Sequence, residues 1–127
     1  MKIAEVFYSI QGEGTLLGVP SVFLRTSGCN LRCVWCDTPY TSWKPEGRDW
    51  SIPELLQYVE GCSAGHVVVT GGEPMMFPGL IELSHRLKTE AGMHITVETA
   101  GTIIPDDGSG RGVACDLMRS EERRVGK

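Results

Sequence analysis

The sequence has no long apolar run and no amino-terminal export signal. No stretch approaches the roughly 20 apolar residues that a membrane-spanning helix requires. Ile3 to Ile10 alternate imperfectly between apolar and polar residues and include Glu5, so they lack the continuous apolar segment of a signal peptide. We therefore expect a cytoplasmic protein. In that reducing compartment, the presence of five cysteines favours metal binding or catalysis over disulfide formation.

An excess of positive charge is also missing. The 12 Lys and Arg residues are outnumbered by 16 Asp and Glu residues, which gives a formal net charge of −4. This balance gives no support for binding to nucleic acid or to an anionic membrane, although a small anionic substrate could still meet local cations. With 127 residues, of which 41% are hydrophobic, the chain is long enough for one modest core and too short for two.

Strand and helix patterns alternate along the chain. Ser51 can cap a helix, with Pro53 in its first turn and Glu54 completing a capping box. The run from Val67 to Val69 is typical of a strand covered on both faces in a parallel sheet. A second helix is predicted over Leu80–Glu90. The predicted strands are Ile3–Ser9, Ser21–Thr26, His66–Thr70, His94–Glu98 and Val113–Asp116. This order is typical of right-handed βαβ units and predicts an α/β fold.

Three cysteines, Cys29, Cys33 and Cys36, lie within eight residues directly after a predicted strand. Free cysteines are normally scattered through a core, so this clustering indicates a metal or cluster site. Structural zinc would need a fourth Cys or His, and distance in sequence does not exclude one. The distant candidates are His66, His85, His94, Cys62 and Cys115. An iron–sulfur cluster of the [4Fe–4S] type usually takes four thiolates, so three cysteines would leave one iron open to another ligand.

Two glycine-containing loops directly follow predicted strands. One is Thr70-Gly71-Gly72-Glu73-Pro74, and the other is Glu98-Thr99-Ala100-Gly101-Thr102. Ligands bind at the carboxyl ends of parallel strands in α/β folds, so both loops are candidates for a cofactor site. An ordinary Gly-Gly turn is the structural alternative for the first loop. Polar capping of a strand end explains the second loop about as well as ligand binding does.

These motifs resemble those of a known family. The spacing of three and then two residues between the cysteines, with Trp35 before the last, and the Gly-Gly-Glu-Pro sequence are similar to the signature of the radical S-adenosylmethionine (SAM) superfamily. Tyr8 to Gly14, Gly18 to Arg25 and Asp37-Thr38 extend the resemblance to the 7-carboxy-7-deazaguanine synthases. It runs from Met1 to about Met118 and implies a partial (β/α) barrel, incomplete at its carboxyl-terminal end.

The resemblance implies a carbon–nitrogen lyase of queuosine and 7-deazapurine biosynthesis. Such an enzyme contracts the ring of 6-carboxy-5,6,7,8-tetrahydropterin to give 7-carboxy-7-deazaguanine, with loss of ammonia. The implied cofactors are a [4Fe–4S] cluster, SAM and Mg²⁺, and a deoxyadenosyl radical takes hydrogen from the carbon bearing the carboxylate. A flavodoxin-type reductant and a homodimer are the implied partners.

Site residues follow from the resemblance position by position, and no catalytic side chain is expected, because cluster and SAM generate the radical. Cluster ligands are implied at Cys29, Cys33 and Cys36, and a magnesium contact at Thr38. The substrate-binding residues are Ile10, Gln11, Gly12, Glu13, Arg25 and Thr70. The SAM-binding residues are Trp35, Cys36, Asp37, Gly71, Gly72, Glu73, Glu98 and Thr99. Arg25 offers a bidentate fork for the substrate carboxylate, although an arginine at a strand end is also an ordinary surface residue.

The resemblance ends after Met118. We expect residues 1–118 to form a partial radical SAM core and residues 119–127 to be a charged tail outside the fold. We also expect a polypeptide that is inactive, or nearly so, without a partner to supply the missing elements, and an open sheet edge that favours aggregation. Two other functions stay open: a radical SAM activase that installs a glycyl radical on a partner protein, and a zinc- or cluster-binding module without catalysis.

Overall fold

A computed structural model describes residues 1–119, which form a six-stranded sheet and two α-helices. The strands are β1 (Lys2–Ile10), β2 (Pro20–Thr26), β3 (Arg48–Asp49), β4 (His66–Gly71), β5 (His94–Thr99) and β6 (Asp116–Arg119). The helices are α1 (Ile52–Glu60) and α2 (Gly79–Thr89), and single 3-10 turns cover Pro39–Thr41 and Pro74–Met76. Within this part of the chain, neither helix has the length and apolar character that crossing a bilayer requires.

The sheet is mixed and open. Its strand order is β3-β1-β2-β4-β5-β6. Strands β2, β4, β5 and β6 run parallel, whereas β1 pairs antiparallel with both β2 and the short β3. The predicted α/β class is therefore confirmed. Four parallel strands bring their carboxyl ends to one edge of the sheet, where α/β folds bind ligands.

The start of α1 follows directly from its sequence. The Ser51 hydroxyl accepts a hydrogen bond from the Glu54 backbone N–H at 3.2 Å, and the Glu54 carboxylate accepts one from the Ser51 N–H at 2.7 Å. The predicted capping box is thus present. A cap of this kind contributes about 1 kcal/mol to helix stability. Gly61 follows the last helical residue.

Both helices pack on one face of the sheet. Alternate residues of the central strands join the apolar side chains of α1 and α2 in one core. The strand residues in this core are Val22, Leu24, Val67, Val69, Ile95 and Val97. Every residue of β4 is buried, as predicted for a strand covered on both faces. Because strand side chains alternate, the intervening residues Phe23, Arg25 and Thr70 lie on the opposite face.

The structure differs from the sequence prediction most at the last strand and at β3. The last strand was predicted at Val113–Asp116, but β6 begins at Asp116 and ends at Arg119, because parallel pairing with β5 sets its position. The two-residue β3 has too little sequence pattern to predict, and its pairing with β1 alone defines it. The predicted tail at 119–127 overlaps β6 at Arg119, and residues 120–127 lie outside the described residues.

Candidate functional site

A cavity of about 650 Å³ lies on the sheet face opposite the helices, at the carboxyl ends of the parallel strands. Its walls come from the loop after β1, the cysteine loop after β2, and the ends of β4 and β5. All the predicted site residues line it except Glu73 and Thr99. Those lining residues are Ile10, Gln11, Gly12, Glu13, Arg25, Cys29, Cys33, Trp35, Cys36, Asp37, Thr38, Thr70, Gly71, Gly72 and Glu98.

The cysteine loop, residues 28–43, is fastened at its base. The Gly28 N–H donates to the Thr41 carbonyl at 2.7 Å, and the Glu73 N–H donates to the Gly28 carbonyl at 2.8 Å. The Ser42 hydroxyl donates to the Leu31 carbonyl at 3.0 Å. The loop therefore closes on itself and on the turn after β4, and it extends its three cysteines between those attachments.

The three cysteines fit an iron–sulfur cluster. Cys29, Cys33 and Cys36 are free thiols, each partly exposed, and all three line the same cavity. Thiolates that hold a [4Fe–4S] cluster bind separate irons, so their sulfurs need not converge on one point. In residues 1–119, no three His, Cys, Asp or Glu side chains converge as ligands of a single metal ion. The donor set therefore suits a cluster held by three thiolates better than a mononuclear zinc ion.

Thr38 is a buried hydroxyl at the edge of this loop. It accepts a hydrogen bond from the Thr41 hydroxyl at 3.1 Å, and its oxygen lies 3.9 Å from the Cys36 sulfur. Thr38 also lines the cavity. Its oxygen lies next to a thiol, at the position where the family resemblance implies a magnesium contact.

Two glycines bring the end of β4 close to the end of β2 and to the cysteine loop. A Cβ atom on Gly71, whose φ is 126°, would lie 2.1 Å from the Thr26 carbonyl oxygen. One on Gly72 would lie 2.1 Å from the Gly28 carbonyl oxygen and 2.5 Å from that of Thr41. Only glycine permits such an approach of backbone to backbone. The predicted Gly-Gly pair therefore has a structural reason as well as a place in the cavity wall.

Glu73 and Thr99 lie beneath the cavity and not in its wall. Glu73 is fully buried. Its carboxylate accepts hydrogen bonds from the Thr99 hydroxyl at 2.6 Å, the Ala100 N–H at 2.9 Å and the Met75 N–H at 3.1 Å. This carboxylate joins the turn after β4 to the end of β5, so it holds together the two loops in which the sequence predicts SAM contacts.

A row of polar side chains crosses the sheet at the cavity floor. Arg25 on β2 is in register with Glu5 on β1 and with Thr70 on β4. The Thr70 hydroxyl donates to the Glu98 carboxylate on β5 at 2.9 Å. The Arg25 Nε donates to the Glu5 carboxylate at 2.9 Å. Arg25, Thr70 and Glu98 line the cavity, whereas Glu5 does not.

The loop after β1 forms the opposite wall. Gln11 is only 3% exposed, and its side-chain carbonyl accepts from the Gly12 N–H at 2.9 Å. Its backbone is bonded to Val19 and Gly18, which fixes the hairpin between β1 and β2. The side chain that was predicted to bind substrate is therefore held at a defined place in the wall.

Two lining aromatics were not predicted as site residues. The rings of Phe7 and Phe23 are in register on neighbouring strands and stack in parallel, 5.0 Å apart. Both rings line the cavity next to Arg25. Their alternation with Val6, Val22 and Leu24 was the available signal, because it places the two rings on the face opposite the core. A flat apolar surface at this point suits one side of a planar ring.

Comparisons with known proteins agree with this arrangement. Residues 23–117 match the family described as the Radical SAM superfamily. The chain is 54% identical over 118 residues to 7-carboxy-7-deazaguanine synthase of Rhodopirellula baltica, with 93% of this chain and 43% of that protein covered. It is 50% identical over 107 residues to the synthase of Halobacterium salinarum, with 84% of this chain and 41% of that protein covered.

A solved structure is also similar. The crystal structure of QueE from Escherichia coli superposes with a TM-score of 0.70 at 35% sequence identity, and the match covers 82% of this chain and 54% of that one. The chain thus spans less than half the length of the two synthases that it matches. Residues 23–117, which match the superfamily, contain the cysteine loop and the ends of β4 and β5.

Proposed function

We propose, because the chain belongs to the radical SAM superfamily, that it serves the ring contraction of 6-carboxy-5,6,7,8-tetrahydropterin to 7-carboxy-7-deazaguanine, with loss of ammonia, in queuosine biosynthesis. One observation carries the proposal: three cysteines of a single loop share a cavity with a guanidinium, an amide and a stacked pair of aromatic rings. Similarity to the 7-carboxy-7-deazaguanine synthases supports the choice of reaction.

Each wall of the cavity has a proposed task. The loop with Cys29, Cys33 and Cys36 would hold a [4Fe–4S] cluster with one iron open to SAM. When bound, the cluster and SAM supply the one-electron chemistry that starts the rearrangement. The proposed SAM contacts are Trp35, Cys36, Asp37, Gly71, Gly72 and Glu98, and Glu73 and Thr99 would support them from beneath.

Substrate contacts are proposed on the other side of the cavity. Ile10, Gln11, Gly12 and Glu13 present backbone, amide and carboxylate groups, which suit the alternating donors and acceptors of a pterin edge. Arg25 would bind the substrate carboxylate through its guanidinium fork. Thr70 would add a hydroxyl contact. Thr38 would meet a magnesium ion, which prefers hard oxygen ligands and retains waters.

The remaining partners are proposed from the resemblance. It supports a flavodoxin-type electron donor and a homodimer, and a reducing cytoplasm suits a site built on free thiols. We also propose that residues 1–118 form a partial radical SAM core; the chain spans less than half the length of the synthases that it matches.

The test separates assembly of the site from turnover. The chain is reconstituted anaerobically with iron and sulfide, and we expect about four irons and four sulfides per chain. Cys33→Ser should retain far fewer irons, and Ser63→Ala, an exposed substitution, should behave like the parent. One zinc and no sulfide per chain would instead establish the zinc-binding module.

Chemistry is then assayed with SAM, a reductant, magnesium and carboxytetrahydropterin. Cleavage of SAM to 5′-deoxyadenosine that depends on the pterin, with deazaguanine product, supports the proposal. SAM cleavage that requires an added partner protein and ignores the pterin would establish the glycyl-radical activase instead. A cluster-containing chain that binds neither SAM nor the pterin would contradict the proposed enzyme.

A further inference from the structure

Arg25 is held from outside the cavity. Its Nε donates to one carboxylate oxygen of Glu5 at 2.9 Å, and the hydroxyl of Tyr40 donates to that same oxygen at 3.2 Å. Glu5 and Tyr40 do not line the cavity, whereas Arg25 does. Two residues that do not line the cavity, Glu5 and Tyr40, therefore hold the guanidinium of Arg25, which does.

This contact leaves the guanidinium fork available. The bond to Glu5 uses only Nε, and no side chain of residues 1–116 accepts a hydrogen bond from the terminal nitrogens Nη1 and Nη2. The guanidinium carbon lies 5.8 Å from the centre of the Phe7 ring, which supports the side chain along its length. A guanidinium fixed at Nε can still present two parallel N–H groups to a carboxylate.

Tyr40 also connects Arg25 to the cysteine loop. It lies in the 3-10 turn Pro39–Thr41, four residues after Cys36 and two after Thr38. Its phenolic O–H donates to the Glu5 carboxylate. The Glu5 carboxylate thus joins three segments: β1, β2 and the cysteine loop.

We propose that Glu5 and Tyr40 are positioning residues, which fix the Arg25 guanidinium so that Nη1 and Nη2 face a carboxylate group of the substrate at a set distance from the cysteine loop. This inference rests on the proposed function, in which Arg25 binds the substrate carboxylate. Neither residue touches substrate. Their effect is to remove side-chain freedom from Arg25 before the substrate arrives.

The opposite role for Glu5 would be competition with the substrate for Arg25. The geometry argues against it, because Glu5 occupies Nε alone and leaves the fork for a second carboxylate. Glu5 is also 46% exposed, so water and salt screen its charge from a carboxylate in the cavity. Ordering a long side chain costs free energy on binding, and a residue already held in place avoids that cost.

The experiment compares two ligands that differ in the carboxylate. Dissociation constants are measured anaerobically on the reconstituted chain for 6-carboxytetrahydropterin and for 6-methyltetrahydropterin. Glu5→Gln and Tyr40→Phe should each weaken the carboxypterin roughly threefold to tenfold, the range expected for one immobilised side chain. The same variants should bind the methylpterin as the parent chain does. Glu82→Gln, an equal change of charge on the exposed face of α2, should alter neither constant.

Each outcome decides between the roles. Unchanged or tighter binding of the carboxypterin by both variants overturns the inference, and tighter binding would identify Glu5 as a competitor. Equal loss for both ligands also overturns it, because the residues would then support the fold and not the carboxylate contact. A parent chain that binds both ligands equally contradicts the proposed task of Arg25 itself, which separates that failure from one confined to the variants. Urea unfolding of each variant checks that it is folded. If Glu5→Gln does not fold, Tyr40→Phe alone tests the inference.

Discussion

Glu73 shows how a site residue can act by holding its neighbours. The carboxylate is fully buried and accepts hydrogen bonds from Thr99, Ala100 and Met75. In Glu73→Gln one oxygen becomes an NH₂ group, which faces a donor and cannot accept. We expect a loss of about 2 to 3 kcal/mol in the free energy of unfolding, measured with urea. Glu82→Gln, on the surface of α2, should change it by less than about 0.5 kcal/mol, and an equal effect in both variants would contradict the assignment.

His66 is a titrating group in the interior. Its ring nitrogens contact the Ser21 hydroxyl at 2.7 Å and the Thr96 hydroxyl at 2.8 Å, and the His94 ring lies 5.4 Å away. Burial lowers the pKa of His66, and the proximity of His94 lowers it further, whereas the charge of Asp116 opposes the shift. The folded protein therefore binds this proton less readily than the unfolded chain does.

The lowered pKa of His66 should make the protein less stable at acidic pH. The stability contributed by neutral His66 is present above the unfolded pKa of about 6.5 and is lost as pH falls towards the lowered pKa of the folded state. We expect urea midpoints to fall between pH 7.5 and 5.5, and we expect His66→Gln to reduce that fall. His85→Gln, at a partly exposed position on α2, is the matched control. A slope unchanged by His66→Gln would show that another group titrates.

At the scale of elements, the turn after β4 and the cysteine loop are one unit. A Cβ atom on Gly72 would overlap the carbonyl oxygens of Gly28 and Thr41, at the two ends of the cysteine loop. Gly72→Ala must therefore displace that loop. We expect iron per chain after reconstitution to fall from about four to below about one. Gly65→Ala, where a Cβ meets nothing within 4 Å, should retain the full complement. Full iron in Gly72→Ala would mean that the cluster site is independent of this turn.

The sequence predicts those elements that local chemistry decides. The capping box of Ser51 and Glu54 defines the start of α1. The valine run of β4 predicts a strand that is buried on both faces, whatever its neighbours in the sheet are. The sequence pattern predicts β6 three residues too early because the bounds of this strand depend on its pairing with β5, which no local pattern encodes. The same holds within the site. Sequence places Glu73 next to the glycines, but only the packing of β5 shows that its carboxylate is turned away from the cavity.

Considered as a whole, the molecule has one face with a continuous core and one face with a cavity beside a partly exposed loop. The helix-covered face is a continuous core in which every residue of β4 is buried. The cavity face lies on the same strands, but the tip of the cysteine loop has little burial: Val34 is 81% exposed and Trp35 is 51% exposed. The hydrogen bonds at the base of the loop fix where it begins and ends, and a cluster held by the three thiols would add a further constraint between those ends.

The presence or absence of the cluster should therefore change the order of the cysteine loop and not that of the core. A ligand that binds only the ordered form of a loop stabilises that form by mass action, and it leaves a core that is already folded unchanged. We expect amide hydrogen exchange in residues 29–36 to slow by about tenfold or more on reconstitution, while exchange in β4 stays the same. Cys33→Ser, taken through the same reconstitution, should show no slowing. Equal protection of the loop with and without the cluster would mean that the protein alone orders it, and slowing throughout β4 would mean that the cluster stabilises the whole sheet.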